Sequence, residues 1–252
     1  MKQKKWRNKL MILFSVLMLV GSIGLLASGS ALAAGGDITI SGPGLNSTKP
    51  VVITQAQLQG KESVSEGVYL EQQDVIYSTI NTWPTKSWYR GQGVKVTDLL
   101  KAAGGIKPEA TQIKFKSRDG FEATFTVDEL LNTQRYCYPY FMDTGLPGHL
   151  PGDASDAVEV PAIIAHRSFY THSYEDILDD ENFNRSDANL LLYGQRAVTQ
   201  QTNARFAKYV TKIEVLTEPV SKWDNPTATP APPAPGVVPA GTMVELHSPF
   251  DD

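Results

Sequence analysis

A single cysteine, Cys137, stands in 252 residues, so no intrachain disulfide can form and stability has to come from packed side chains. Positive charge is also scarce: 23 Lys and Arg face 27 Asp and Glu. Five of the cations, Lys2, Lys4, Lys5, Arg7 and Lys9, crowd into the first nine residues. Setting them aside leaves 18 against 27, a formal charge of −9 for the remainder. Such a surface repels phosphate backbones and excludes nucleic acid as a partner. Histidine is sparse and ill-spaced. His149, His166, His172 and His247 have no partner at metal-ligand spacing, and no zinc site is expected. The acidic run Asp176, Asp179, Asp180, Glu181 lacks the alternating ligands and central glycine of a calcium loop and reads as a solvated helical face. There is no GxxxxGK[ST], no GxGxxG after a strand, no GxSxG elbow past the leader and no HExxH. Phosphate-loop, dinucleotide-binding, hydrolase-elbow and zinc-protease chemistry therefore drop out.

What is present falls into four parts. Residues 1–33 read as a signal peptide: cations, an uncharged stretch from Leu10 to Leu26, then Ala31-Leu32-Ala33 before Ala34. The stretch is somewhat long for a signal peptide, and an uncleaved anchor is the alternative. Both place the rest outside the cytoplasm, secreted or at the cell surface. Residues 34–220 are long enough for one domain with a substantial core. Residues 221–240 form a linker, since six of the sixteen residues from Asn225 to Ala240 are proline. Residues 241–252 alternate like the first strand of a further module.

Within the domain, DITIS (Asp37 to Ser41) and PVVIT (Pro50 to Thr54) read as strands. Thr54 and Gln57 have capping-box spacing for a short helix stopped by Gly60. Asp74 to Ile80 reads as a largely buried strand, leading to an aromatic loop from Asn81 to Gly93. Val96, Leu99, Leu100 and Ala103 then fall at i, i+3, i+4 and i+7, with Thr97 as the cap and Gly104 or Gly105 as the stop. A hairpin turns at Asp119-Gly120, with Ile113 and Phe115 answered by Phe121, Ala123, Phe125 and Val127. Thr126 and Glu129 cap a second short helix. Val158 to Phe169 reads as one strand covered on both faces, Asn189 opens another buried strand, and Tyr209 to Leu216 is the last, whose Lys212 and Glu214 would face water if it lies at an edge. The fold class is α+β, a mixed β-sheet core with short helices.

The order of strand, Trp-bearing loop, GxxVxxLLxxAG and a hairpin at Asp-Gly-Phe resembles the oxidoreductase molybdopterin-binding domain of the sulfite oxidase superfamily, strongest over Gln73 to Leu131. The resemblance implies a pocket holding molybdopterin near Thr79, Asn81, Trp83 and Asp119, with Arg196 available to grip a phosphate. It also exposes a departure. Members that hold molybdenum use a cysteine four residues before the tryptophan, and here Thr79 occupies that position before Trp83. A hydroxyl is a hard ligand that stays protonated unless a metal displaces the proton, so it replaces a thiolate poorly. Thr79 also suits its place simply as a β-branched strand residue. Cys137 is either a small buried hydrophobe among aromatics or a thiolate that reaches the pocket from elsewhere. No metal ligand and no catalytic residue is assigned.

Two functions follow. One is a binding or spacer module without cofactor; the other is a molybdopterin-dependent oxidoreductase with an atypical ligand. The aromatic residues from Trp83 to Tyr89 imply a pocket or a partner, because such rings are costly to expose. The closing GTMVELHSPFDD resembles the start of the C-terminal module of chitobiases and β-hexosaminidases, which implies cell-wall or surface partners reached through that module.

Overall fold

The computed structural model describes residues 35–81, 85–139, 141, 154, 156–183 and 188–219. The expected leader, linker and closing module lie outside them, as do Trp83, His149 and His247. In chain order the strands are β1 (Ile38–Ser41), β2 (Val51–Ile53), β3 (Gln73–Ile80), β4 (Lys86–Lys95), β5 (Gln112–Ser117), β6 (Glu122–Thr126), β7 (Tyr136–Cys137), β8 (Val158–Glu159), β9 (Ile163–Thr171), β10 (Leu190–Leu192) and β11 (Val210–Leu216). Three short α-helices accompany them: α1 (Gln55–Leu58), α2 (Val96–Ala102) and α3 (Tyr174–Leu178).

One sheet runs β2-β1-β11-β5-β6, a second runs β10-β9-β4-β3, and β7 and β8 form a separate ribbon. β1 and β11 pair in parallel while the other ladders are antiparallel, so the first sheet is mixed. The chain is α+β, as its strand-rich pattern predicts. The first sheet buries one face: Ile38, Ile40, Ile113, Phe115, Ala123, Phe125, Ile213 and Val215 line it. Its other face carries a charge ladder in which Lys116 bonds Glu214 at 2.9 Å and reaches Glu122 at 3.4 Å. β11 therefore sits inside the sheet, between β1 and β5. Lys212 and Glu214 reach water across the sheet's outer face.

The local signals account for the helices. α1 has its full capping box, with Gln57 N donating to Thr54 Oγ1 at 3.1 Å and Thr54 N donating to Gln57 Oε1 at 3.0 Å. In α2, Val96, Leu99 and Leu100 are buried with Ala103 just beyond, and Gly104 and Gly105 end the helix at φ values of 100° and 81°. Thr97 is not its cap. β4 runs directly into α2, Lys95 occupies the cap position without a side-chain bond, and Val96 N donates to Ala162 O. Thr126 Oγ1 does accept from Glu129 N at 2.9 Å, at the start of a π-turn over Asp128–Asn132.

The largest departure concerns residues 81–93, expected to be a loop. Most of that stretch is β4, a ten-residue strand paired along its length with β3 and with β9. Gly91 and Gly93 read as loop punctuation, yet each permits a close approach. A Cβ on Gly93 would lie 2.0 Å from Ile164 O, and one on Gly91 would lie 2.5 Å from Leu192 Cδ1. A register shift between Gln92 and Gly93 marks a bulge there. Trp88 is accordingly buried in the core instead of lying on an exposed loop. The predicted continuous strand from Val158 to Phe169 is likewise divided. Pro161 separates the exposed β8 from the buried β9, because proline cannot donate to a central ladder. Phe121 is half-exposed at the turn and does not join the inner face of the hairpin.

Substituting Gly93→Ala is expected to lower stability by about 1–3 kcal/mol or more, since the obstructing atoms are backbone. Chemical denaturation of the purified variant against wild type measures it.

Candidate functional site

β3 lies at the edge of its sheet, but its buried half, from Tyr77 to Ile80, is covered. Ile80 bridges to Gln201 in parallel, and Tyr136 of β7 bridges to Gln195, so the segment 195–203 folds over this edge. Successive side chains of β3 then meet different partners. Ser78 donates to Gln195 Oε1 at 2.5 Å and accepts from Tyr138 N at 2.8 Å. Gln195 completes its bonding by donating to Val198 O and Gln200 O. Thr79 Oγ1 accepts from Thr202 Oγ1 at 2.6 Å and from Asn203 N at 3.0 Å, and the residue is fully buried. Its hydroxyl is a structural acceptor that holds the covering segment in place.

The other sequence-derived residues divide by location. Asn81 closes the turn out of β3, its Oδ1 accepting from Thr85 N at 3.1 Å. Arg196 lies on the segment that binds Thr79 and Ser78, and its backbone N donates to Gln200 Oε1 at 2.6 Å. These three belong to one region. Asp119 does not: it is exposed at the hairpin between β5 and β6 in the other sheet, where its Oδ1 accepts from Phe121 N at 3.2 Å. Trp83 lies outside the described residues.

Cys137 is packed beside Ser78, the residue whose side chain points away from that of Thr79. Burial pushes its thiol up from 9.0 to about 12, a shift that hydrogen bonding to Ser78 only partly offsets. At neutral pH the sulfur is an un-ionised, buried thiol with little nucleophilic or ligating capacity. Nearby, Arg135 is almost wholly buried and is pushed down to about 10 by desolvation, although Tyr193 and Glu129 favour its charge. Its guanidinium donates to Glu129 O and Gly194 O, while the Glu129 carboxylate takes Arg205 at 2.7 Å. Arg205 also donates to Thr124 O and stacks its guanidinium 3.8 Å from the centre of the Phe125 ring. This group ties the hairpin and the covering segment together.

A cleft of about 300 Å³ opens where β4 begins, lined by Lys86, Trp88, Phe141, His172, Tyr174 and Glu175 among others. The Trp88 indole donates to Tyr138 O at 3.2 Å, and its ring lies 5.4 Å from that of Phe141 and 5.7 Å from that of Tyr174. His172 Nδ1 lies 2.9 Å from Lys86 O and 3.0 Å from Ser87 Oγ. A carbonyl only accepts, so Nδ1 carries a proton in this arrangement. Ser87 therefore has no base at that nitrogen, and the pair is not a nucleophile dyad. Among the described residues no group of three His, Cys, Asp or Glu gathers around a point suited to a metal ion. The sequence argument missed Lys86, Trp88 and His172 as neighbours because it weighed His172 only by its distance along the chain from His166.

Taken together, fold and site define an α+β domain of two sheets whose covered strand end is a closed polar network beside an aromatic cleft. No family model matches the chain, and no curated protein matches it. Among solved structures, the sulfane dehydrogenase SoxCD of Paracoccus pantotrophus is similar at 13% identity with a TM-score of 0.38, over 73% of this chain and 38% of that one. The chain thus spans less than two-fifths of that protein's length, and similarity of this degree defines no shared family.

Replacing Thr79 with valine keeps the shape but strands Asn203 N–H and the Thr202 hydroxyl, and a loss of about 1–3 kcal/mol is expected in denaturant titration. The raised Cys137 thiol adds a pH effect. Above its ordinary value of 9.0 the unfolded chain loses this proton while the folded chain keeps it up to about 12, so stability falls as pH climbs through that window. Cys137→Ala should flatten part of the drop in melting temperature between about pH 8 and pH 10.5.

Proposed function

We propose that this chain is an exported, cell-surface binding domain built on a fold of the molybdopterin-enzyme kind, without the metal centre. The observation that carries the reading is the state of Thr79. At the position where the resemblance expects a ligand cysteine, a fully buried hydroxyl is committed to Thr202 and Asn203. A molybdenum centre needs a soft donor facing an open site. The described residues do not fit it, since the one thiol in the chain is buried beside Ser78 and held protonated. The charge and apolar pattern of residues 1–33 and the proline-rich segment 221–240 support placement outside the cytoplasm, on a stalk. An aromatic cleft in which Ser87 finds no base at His172 Nδ1 suits recognition better than turnover.

The test is elemental analysis of the chain purified from a host able to make molybdopterin. The expected outcome is molybdenum far below stoichiometry. About one atom per chain would overturn the reading in favour of an oxidoreductase with an atypical ligand.

A further inference from the structure

The second sheet carries an open cleft of about 440 Å³ that the polar network at Thr79 does not involve. That volume falls in the range of roughly 300–1,000 Å³ of small-ligand sites. Its wall is aromatic. Tyr89 and Tyr170 stack with ring centres 5.3 Å apart and planes 20° from parallel, and Phe206 meets Tyr89 edge-on at 5.1 Å. Tyr170 is 58% exposed, so one face of its ring rests on Tyr89 while the side chain remains open to solvent. The stack is held from below: Phe206 packs at 5.3 Å on Tyr193, which packs at 5.0 Å on Phe125 in the core. An outer ring so anchored has little conformational entropy left to lose on binding.

Charge at the cleft is of one sign. Lys208 is its one charged lining residue among those described, in a chain whose formal net charge is −4. The Lys208 ammonium lies 5.2 Å from the centre of the Tyr209 ring, which the Arg118 guanidinium also approaches, at 5.1 Å. Tyr209 holds φ at +61°, a left-handed conformation unusual for an aromatic residue, which sets Lys208 at the rim.

We propose that this cleft binds an acidic polysaccharide, with a sugar ring lying against the exposed part of the Tyr170 ring and its carboxylate directed at Lys208. The apolar C–H face of a sugar matches a flat, rigid ring. The Lys208 ammonium is a point charge that pairs with the one carboxylate carried by each residue of a uronic acid chain. The inference rests on the binding-domain reading above and assigns that domain its ligand class.

Isothermal titration with tetragalacturonate tests it, against maltotetraose as the neutral sugar and poly(glycerol phosphate) as the anion without sugar rings. The expected result is saturable binding of tetragalacturonate, at least about tenfold tighter than either control, and about tenfold weakened by Tyr170→Ala and by Lys208→Gln. Both side chains are exposed, and circular dichroism confirms that each variant stays folded. Absence of saturable binding, unchanged binding in Tyr170→Ala, or equal binding of poly(glycerol phosphate) would each overturn the proposal. A molybdenum-free protein that ignores tetragalacturonate loses this inference and leaves the binding-domain reading standing.

Discussion

A connected train of aromatic rings joins the two sheets, and most of the structure depends on it. Phe115 and Phe125 meet on the inner face of the first sheet at 5.9 Å, Phe125 meets Tyr193, Tyr193 meets Phe206, and Phe206 meets Tyr89 on the second sheet, each pair nearly edge-to-face. Pairs of this geometry contribute about 0.5–1.5 kcal/mol each beyond their buried area. The helices cannot substitute for them. The longest α-helix among the described residues has seven residues, short of what holds a helix together without tertiary packing. Side-chain packing between sheets carries the cohesion, and no disulfide supplements it.

The same train governs the polar groups. Tyr193 is buried, its hydroxyl donates to Thr202 O at 3.1 Å, and burial pushes its phenol up to about 12. Thr202 in turn bonds Thr79. A residue of the core and the hydroxyl at the covered strand end are thus fixed by one short segment. Arg135, whose guanidinium lies 4.9 Å from the Tyr193 ring, adds donors to the carbonyls that this segment and the π-turn leave over. Buried polar groups are satisfied nearly throughout: among the described residues the Ser117 hydroxyl is the side-chain exception. Among the described residues the Thr79 oxygen is thus committed to Thr202 and Asn203.

Legibility in the sequence followed the range of the interaction. The capping box of α1, the buried face and glycine stop of α2, and the Asp-Gly turn are local, and their residues lie within a few positions of one another. The identity of β4 was not legible. Gly91, Gly93 and the polar residues between them look like a loop until β9 and Leu192 are seen against the two Cα atoms. The position of β11 was hidden for the same reason, because alternation marks which face is wet but not which strands lie on either side. At the candidate site, Thr79 was singled out by its spacing from Trp83, while Lys86 and Trp88 of β4 meet His172, which follows β9 far along the chain.

By itself the sequence determined the α+β class, the capping box of α1, the glycine stop of α2, the single thiol and the hydroxyl at the end of β3, because these depend on residue type and on neighbours in the chain. Only the tertiary structure decided that this hydroxyl is closed in by residues 202–203, that the thiol lies beside Ser78, and that Tyr170 and Lys208 share a cleft. Those outcomes depend on which segments meet across separations from dozens of positions to more than a hundred, and the chain carries no local mark of such pairing.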